Sequence, residues 1–204
     1  MLNYVSTRGE APKVTASQAI LNGIAPDGGL YVPEVWPALT LDWEKLKSQT
    51  YQEIATQIFD GFFDDFSVAE IDHIITKAYG NQWAQRDVVT YHQEDQLTYM
   101  ELFNGPTLAF KDVALQALPH LMTAAAKKQQ ITDTMVILTA TSGDTGTAAM
   151  RGFGDVPQTE IVVFYPEVGV SEMQRQQMQT EAAKNAHVIA ITGNFDDAQK
   201  AVKS

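Results

Sequence analysis

The feature that most constrains this chain is a threefold alternation in its last third. Met135-Val-Ile-Leu-Thr-Ala140, Ile161-Val-Val-Phe-Tyr165 and His187-Val-Ile-Ala-Ile191 are short apolar runs with no polar alternation. Such runs suit strands buried on both faces, because a half-solvated strand would show a period of two. A segment with helical character follows each run: Thr145 to Phe153, Ser171 to Asn185, and Phe195 onward. Strand–helix repetition of this kind predicts a parallel sheet covered by helices, an α/β fold. The last helical segment is cut short at Ser204, before such a sheet would be complete, so the expectation is a fold that stops part-way.

The first part of the chain has a different texture and predicts a small α+β unit. Ala25-Pro-Asp-Gly-Gly-Leu-Tyr-Val-Pro33 joins a turn signal to a short β-prone run. Asp42 to Gln49 can start a helix, and Tyr51, Ile54, Ala55, Ile58, Phe59 and Phe62 recur at helical spacing. Ser67-Val-Ala-Glu70 is a capping box in front of the buried stripe Ile71, Ile74, Ile75 and Ala78, with Gly80 as a stop signal. From about Val88 the pattern changes: Thr98 to Phe103 reads as a strand. Phe110, Val113, Ala114, Ala117, Leu118, Leu121, Met122 and Ala125 then trace a helix kinked at Pro119. The division predicted is residues 1–87 and residues 88–204.

Several function classes are disfavoured at once. The formal net charge is −11, which opposes nucleic acid as a partner. With no cysteine, thiolate nucleophiles, disulfides and zinc–thiolate sites drop out. No signal-peptide pattern opens the chain and no apolar stretch is long enough to cross a bilayer, so a cytoplasmic location is expected. There is no Walker A loop, and His73, His120, His92 and His187 lack metal-ligand spacing, so no metal is predicted. Asp196-Asp197 suits a helix start, and Met173 and Met178 suit helix packing. Asp144-Thr145-Gly146 matches the aspartic-protease triplet, but an α/β pattern is wrong for that chemistry.

Two segments fall where loops leave strands, the usual place for ligands in such sheets. In Glu101-Leu-Phe-Asn-Gly-Pro-Thr-Leu-Ala-Phe-Lys-Asp112, a turn at Gly105-Pro106 leads to Lys111 in the first turn of a helix, beside Phe110. The helix dipole and apolar surroundings would both favour a neutral, nucleophilic amine. The alternative is a lysine that snorkels to water from an ordinary helix. In Thr139-Ala-Thr-Ser-Gly-Asp-Thr-Gly-Thr-Ala-Ala149, free amides and the hydroxyls of Thr141, Ser142 and Thr145 would suit a carboxylate or phosphate, with Gly143 and Gly146 allowing close approach. The alternative is a glycine-rich turn that binds nothing.

Together the two segments resemble the cofactor-lysine motif and the substrate-anion loop of fold type II pyridoxal-phosphate enzymes, and specifically the threonine synthase family. Asn22-Gly-Ile-Ala-Pro-Asp-Gly-Gly-Leu-Tyr-Val-Pro33, Tyr165-Pro-Glu-Val-Gly-Val-Ser171 and Gly193-Asn-Phe-Asp-Asp-Ala-Gln199 match the same family in order. The resemblance implies a tryptophan-synthase-β-like three-layer catalytic domain, begun at about residue 88, behind a family-specific amino-terminal unit. It implies a lyase that converts O-phospho-L-homoserine and water to L-threonine and phosphate. Pyridoxal 5'-phosphate would be carried on Lys111 with Phe110 beside it, and Thr141, Ser142, Gly143, Asp144 and Thr145 would hold substrate, with the cofactor's ring oxygen as the alternative ligand of Ser142 to Thr145. Family members are longer, and their cofactor-phosphate loop and pyridine-nitrogen partner have no counterpart here. The chain alone is therefore expected to be inactive and to self-associate through apolar surface left uncovered. The alternatives are a serine or threonine dehydratase of the same fold type, or a non-catalytic threonine-synthase-like binding protein.

Overall fold

The computed structural model describes residues 1–84 and 87–203. The described residues form two compact units, Met1–Gly80 with His120–Thr132, and Asn81–Pro119 with Asp133–Ser204.

In the first unit, β1 (Tyr4–Ser6) pairs antiparallel with β2 (Tyr31–Pro33), and α1 (Ala16–Asn22) lies between them in sequence. The Pro-Asp-Gly-Gly turn is a knot around Asp27. Its carboxylate accepts from Ser6 Oγ at 2.6 Å and from the amides of Gly29, Glu10 and Ala11 at 2.9, 3.0 and 3.1 Å. These donors, led by Ser6, hold the Asp27 pKa below its ordinary value. The short helix α2 (Trp43–Leu46) is capped by Asp42, and α3 (Tyr51–Phe62) and α4 (Val68–Ala78) each begin with a capping box, Thr50 with Glu53 and Ser67 with Glu70. Ile71, Ile74, Ile75 and Ala78 are buried, as their spacing predicts. The stop falls where expected: α4 ends at Ala78 with Tyr79 as its cap, the Tyr79 amide donating to the Ile75 carbonyl at 2.9 Å, and Gly80 follows directly. Tyr79 packs edge-on against Tyr51, with ring centroids 4.9 Å apart.

In the second unit, the predicted strand at 98–103 is β4 (Leu97–Glu101), the second arm of a hairpin with β3 (Thr90–Glu94), which the sequence did not reveal. The long kinked helix resolves into two pieces. The four-residue α5 (Asp112–Leu115) ends at Gln116, and α6 (Leu118–Lys128), which from His120 belongs to the first unit, starts afresh with Pro119 in its first turn. A proline there lacks only an amide that the helix would leave unpaired.

The three apolar runs are β5 (Met135–Ala140), β6 (Thr159–Pro166) and β7 (Ala186–Ile191), parallel and in the order β5-β6-β7. Ile137 pairs with Ile161, and Val163 with Val188. The helix α7 (Asp144–Phe153) packs on the face of Ile161 and Val163, both fully buried. The helix α9 (Phe195–Lys203) lies against Leu138, Phe164 and Ile191 on the opposite face through Ala198, Ala201 and Val202. Coverage of that second face is partial, with Val136 58% and Ile189 43% exposed, and on the α7 side full burial is confined to β6, since Ile137 and Val188 are half-buried; the expected burial of all three strands on both faces is not met. The helix α8 (Glu172–Gln179) is shorter than its apolar pattern suggested; Met178 is buried while Met173 is 69% exposed. Asp196 and Asp197 sit in the first turn of α9, where Asp197 and Asn194 exchange capping bonds at 3.0 and 3.1 Å. No helix among the described residues is long and apolar enough to cross a membrane.

His120 on α6 lines a groove with Glu70 and His73 of α4, and burial pushes its pKa down from 6.5 to about 4, with help from the nearby charges of His73 and Lys77. The unfolded chain takes up this proton near pH 6.5, whereas the folded chain resists it until about pH 4. Between those values the unfolded state binds more protons, so stability falls as pH is lowered through the window. Thermal melts from pH 7 to 4.5 should show this decline. His120→Gln should flatten it, and an unchanged slope in that variant would exclude His120 as its origin.

Candidate functional site

The lysine segment folds around a carboxylate. Asp112 is fully buried, with its Oδ2 accepting from the Thr107 amide at 2.8 Å and its Oδ1 from the Thr107 hydroxyl at 2.8 Å. The chain turns tightly enough that a Cβ on Gly105 would lie 2.4 Å from Asp112 Oδ2, and Leu108 takes a left-handed φ of 62°. This wrap brings Lys111 to the N-cap of α5 and keeps its acidic neighbour occupied with Thr107. Lys111 Nζ lies 4.3 Å from the centroid of the Phe110 ring, and among the described residues it has no hydrogen bond or ion pair. Around it, Leu102, Phe110, Val113, Ala114 and Leu115 line an open, almost wholly apolar depression of about 450 Å³. The dipole part of the expectation weakens, since α5 is a single turn and its aligned peptide dipoles are few. What the fold does supply is an unpaired amine on an apolar surface.

The second segment divides into a buried half and an exposed half. The Thr141 side chain is 1% exposed, and its Oγ1 accepts from the amides of Gly143 and Gly146 at 3.0 and 2.9 Å while donating to the Gly143 carbonyl at 3.0 Å. Thr141 and Gly143 therefore build the loop. Ser142, Asp144 and Thr145 are exposed, and among the described residues their amides have no acceptor. Gly143, at φ 154° and ψ −100°, occupies backbone space that favours glycine. Gly146 is required by closeness: a Cβ there would lie 2.5 Å from Thr141 Cγ2 and 2.8 Å from Val163 Cγ1.

These two segments are neighbours in space. A Cβ on Gly152 of α7 would stand 2.2 Å from the Leu115 carbonyl, so α5 and α7 touch. Pro106 and Thr107 line one cleft together with Thr147 and Arg151. The sequence offered no role for Asp112, whose burial comes from the wrap and leaves no local signal. Among the described residues no cluster of three or more His, Cys, Asp or Glu could hold a metal.

With this geometry established, the relatives are informative. Residues 3–79 match the family described as the threonine synthase N terminus. A threonine synthase of Pseudomonas aeruginosa is 42% identical over 210 residues, covering all of this chain and 43% of its own length. The crystal structure of pyridoxal-phosphate-bound threonine synthase from Brucella melitensis superposes with a TM-score of 0.90 at 38% identity, over all of this chain and 44% of that one. Yeast threonine synthase gives the same TM-score at 30% identity, over 99% of this chain and 43% of its own. Along its whole length the chain is similar to threonine synthases. It corresponds to the amino-terminal portion and spans less than half the length of these relatives.

The wrap around Asp112 can be tested without any ligand. Thr107→Val removes the hydroxyl donor and strands a buried carboxylate oxygen, a loss of about 1–3 kcal/mol. Gly146→Ala forces α7 off the sheet and should cost about 1–3 kcal/mol. Denaturant titration of both variants checks these values, and wild-type stability in Thr107→Val would mean that Asp112 does not depend on Thr107.

Proposed function

We propose that this chain is part of a threonine synthase acting on O-phospho-L-homoserine and water to give L-threonine and phosphate, a carbon–oxygen lyase. Residues 1–87 would form the family-type amino-terminal unit and residues 88–204 the first part of the catalytic domain. The single observation that carries the reading is Lys111, an unpaired amine on an apolar surface, held by the Asp112 wrap on a segment whose Pro106 and Thr107 line a cleft with Thr147 of α7. The apolar depression and the amine suit the flat ring and aldehyde of pyridoxal phosphate, so the residues present fit that cofactor. When bound, pyridoxal phosphate supplies the electron sink that stabilises a carbanion at the substrate α-carbon.

Lys111 would attach the cofactor and, once released by the substrate amine, would serve as base at Cα and carry protons at Cβ. Phe110 would pack against the ring. The amides of Ser142, Asp144 and Thr145, with the hydroxyls of Ser142 and Thr145, would hold an oxyanion at the start of α7. Thr141 and Gly143 would act by shaping that loop. The exposed Val136, Leu138 and Ile189 on one sheet face would favour self-association of the isolated chain, which sedimentation velocity would detect.

The direct test adds pyridoxal phosphate to the purified chain, follows absorbance, reduces with borohydride and maps the labelled peptide. Label on Lys111 that vanishes in Lys111→Ala is the expected result. Label on a different lysine would refute the assignment of Lys111.

A further inference from the structure

We propose that Gln174 is a positioning residue that locks the 141–145 loop by holding the carboxylate of Asp144. The two residues are 30 apart in sequence and sit on the helices that follow neighbouring strands, α7 after β5 and α8 after β6. Gln174 Nε2 donates to Asp144 Oδ1 at 2.8 Å. The same carboxamide lies against Gly143, where a Cβ would stand 2.3 Å from Nε2.

The orientation of the carboxamide is determined by its other end. Ser171, the N-cap of α8, accepts from the Gln174 amide at 3.3 Å, and its Oγ lies 3.0 Å from Gln174 Oε1. With that amide already donating to it, the serine hydroxyl places its one proton on Oε1. The NH₂ group is thereby turned outward, toward Asp144. Ser171, Gln174 and Asp144 form a relay joining two loops, which gives the Tyr165–Ser171 run a role beyond its place in the chain.

The consequence is electrostatic and rests on the anion-loop reading proposed above. Asp144 is the only acidic residue within 141–145, beside three amides with no acceptor. A free carboxylate there could turn onto those amides as a helix-capping group or repel an incoming oxyanion. Bound to Gln174, it is held on the α8 side, and the donors stay available to phosphate or carboxylate.

Gln174→Glu is the informative variant, because it keeps the shape, removes the donor and sets two carboxylates against each other. In the double variant Asp144→Asn with Gln174→Glu, amide and carboxylate exchange places and the hydrogen bond can re-form. Loop integrity is read by hydrogen exchange at the Gly143 and Gly146 amides, both bonded to Thr141. Anion binding is read from the amide shifts of Ser142, Asp144 and Thr145 during separate titrations with inorganic phosphate and acetate.

Gln174→Glu should speed exchange and weaken anion binding by about tenfold each, as loss of a charge-assisted hydrogen bond implies. The double variant should recover most of both. Unchanged exchange in Gln174→Glu would overturn the proposal, as would a double variant no better than the single one. The expected exchange pattern with no anion response in wild type would uphold the relay and remove the anion reading. A response to phosphate alone would identify a phosphoryl group as the ligand, and a response to acetate alone a carboxylate.

Discussion

Everything near the candidate site depends on how closely α7 approaches its two neighbours. Gly146 faces the sheet and Thr141, and Gly152 faces the carbonyl of Leu115 on α5. Six residues at about 100° each leave the two positions about 120° apart around the axis, so they lie on different sides of the helix. One missing side chain lets α7 settle on β6, and the other lets α5 settle on α7. The lysine segment and the anion loop are far apart in sequence, yet this double contact packs their helices together. A larger residue at either position would part them without touching a single functional group.

Within that frame, polar groups are divided between building and binding. Thr141 uses its only hydroxyl to tie two amides and a carbonyl of its own loop, and Asp112 uses both carboxylate oxygens on Thr107. Both side chains are buried, where an unpaired polar atom would cost far more than it does in water. Among the described residues, the side chains of Lys111, Ser142 and Thr145 make no hydrogen bond inside the fold. A site that must accept a ligand needs groups of the second kind, held in place by groups of the first.

This division also explains what could be read from sequence. The sheet, the capping boxes of Thr50 and Ser67 and the Ile71–Ala78 stripe follow local rules, and strand–helix alternation or side-chain spacing is enough to find them. Lys111 and the 139–149 loop were visible as motifs. Three things were not. The hairpin arm Thr90–Glu94 is polar and exposed, so it carries no burial pattern. The break between α5 and α6 is masked by an apolar stripe that runs through both helices. Asp112 and Gln174 look like ordinary polar residues, because their partners are set by folding: the turn at 105–108 closes Asp112 onto Thr107, and the approach of two helices supplies the partner of Gln174. For Asp144 and Gln174 that partner is 30 residues away.

One tension remains between the whole and the part: a chain of net charge −11 is asked to hold an anion. At physiological ionic strength the field of distant charges is damped over about 8 Å, so only groups near the loop matter strongly. Close by, the favourable elements are three unpaired amides and the start of a ten-residue helix, and the unfavourable one is Asp144. Occupying that carboxylate with a neutral carboxamide removes it as a competitor for the amides without introducing a cation that would itself seize the ligand. A lysine at 174 would pair with Asp144 too, but its charge would stay mobile and compete with the loop. A glutamine fixed by Ser171 gives a single direction of donation, which is what a site with one acidic neighbour needs.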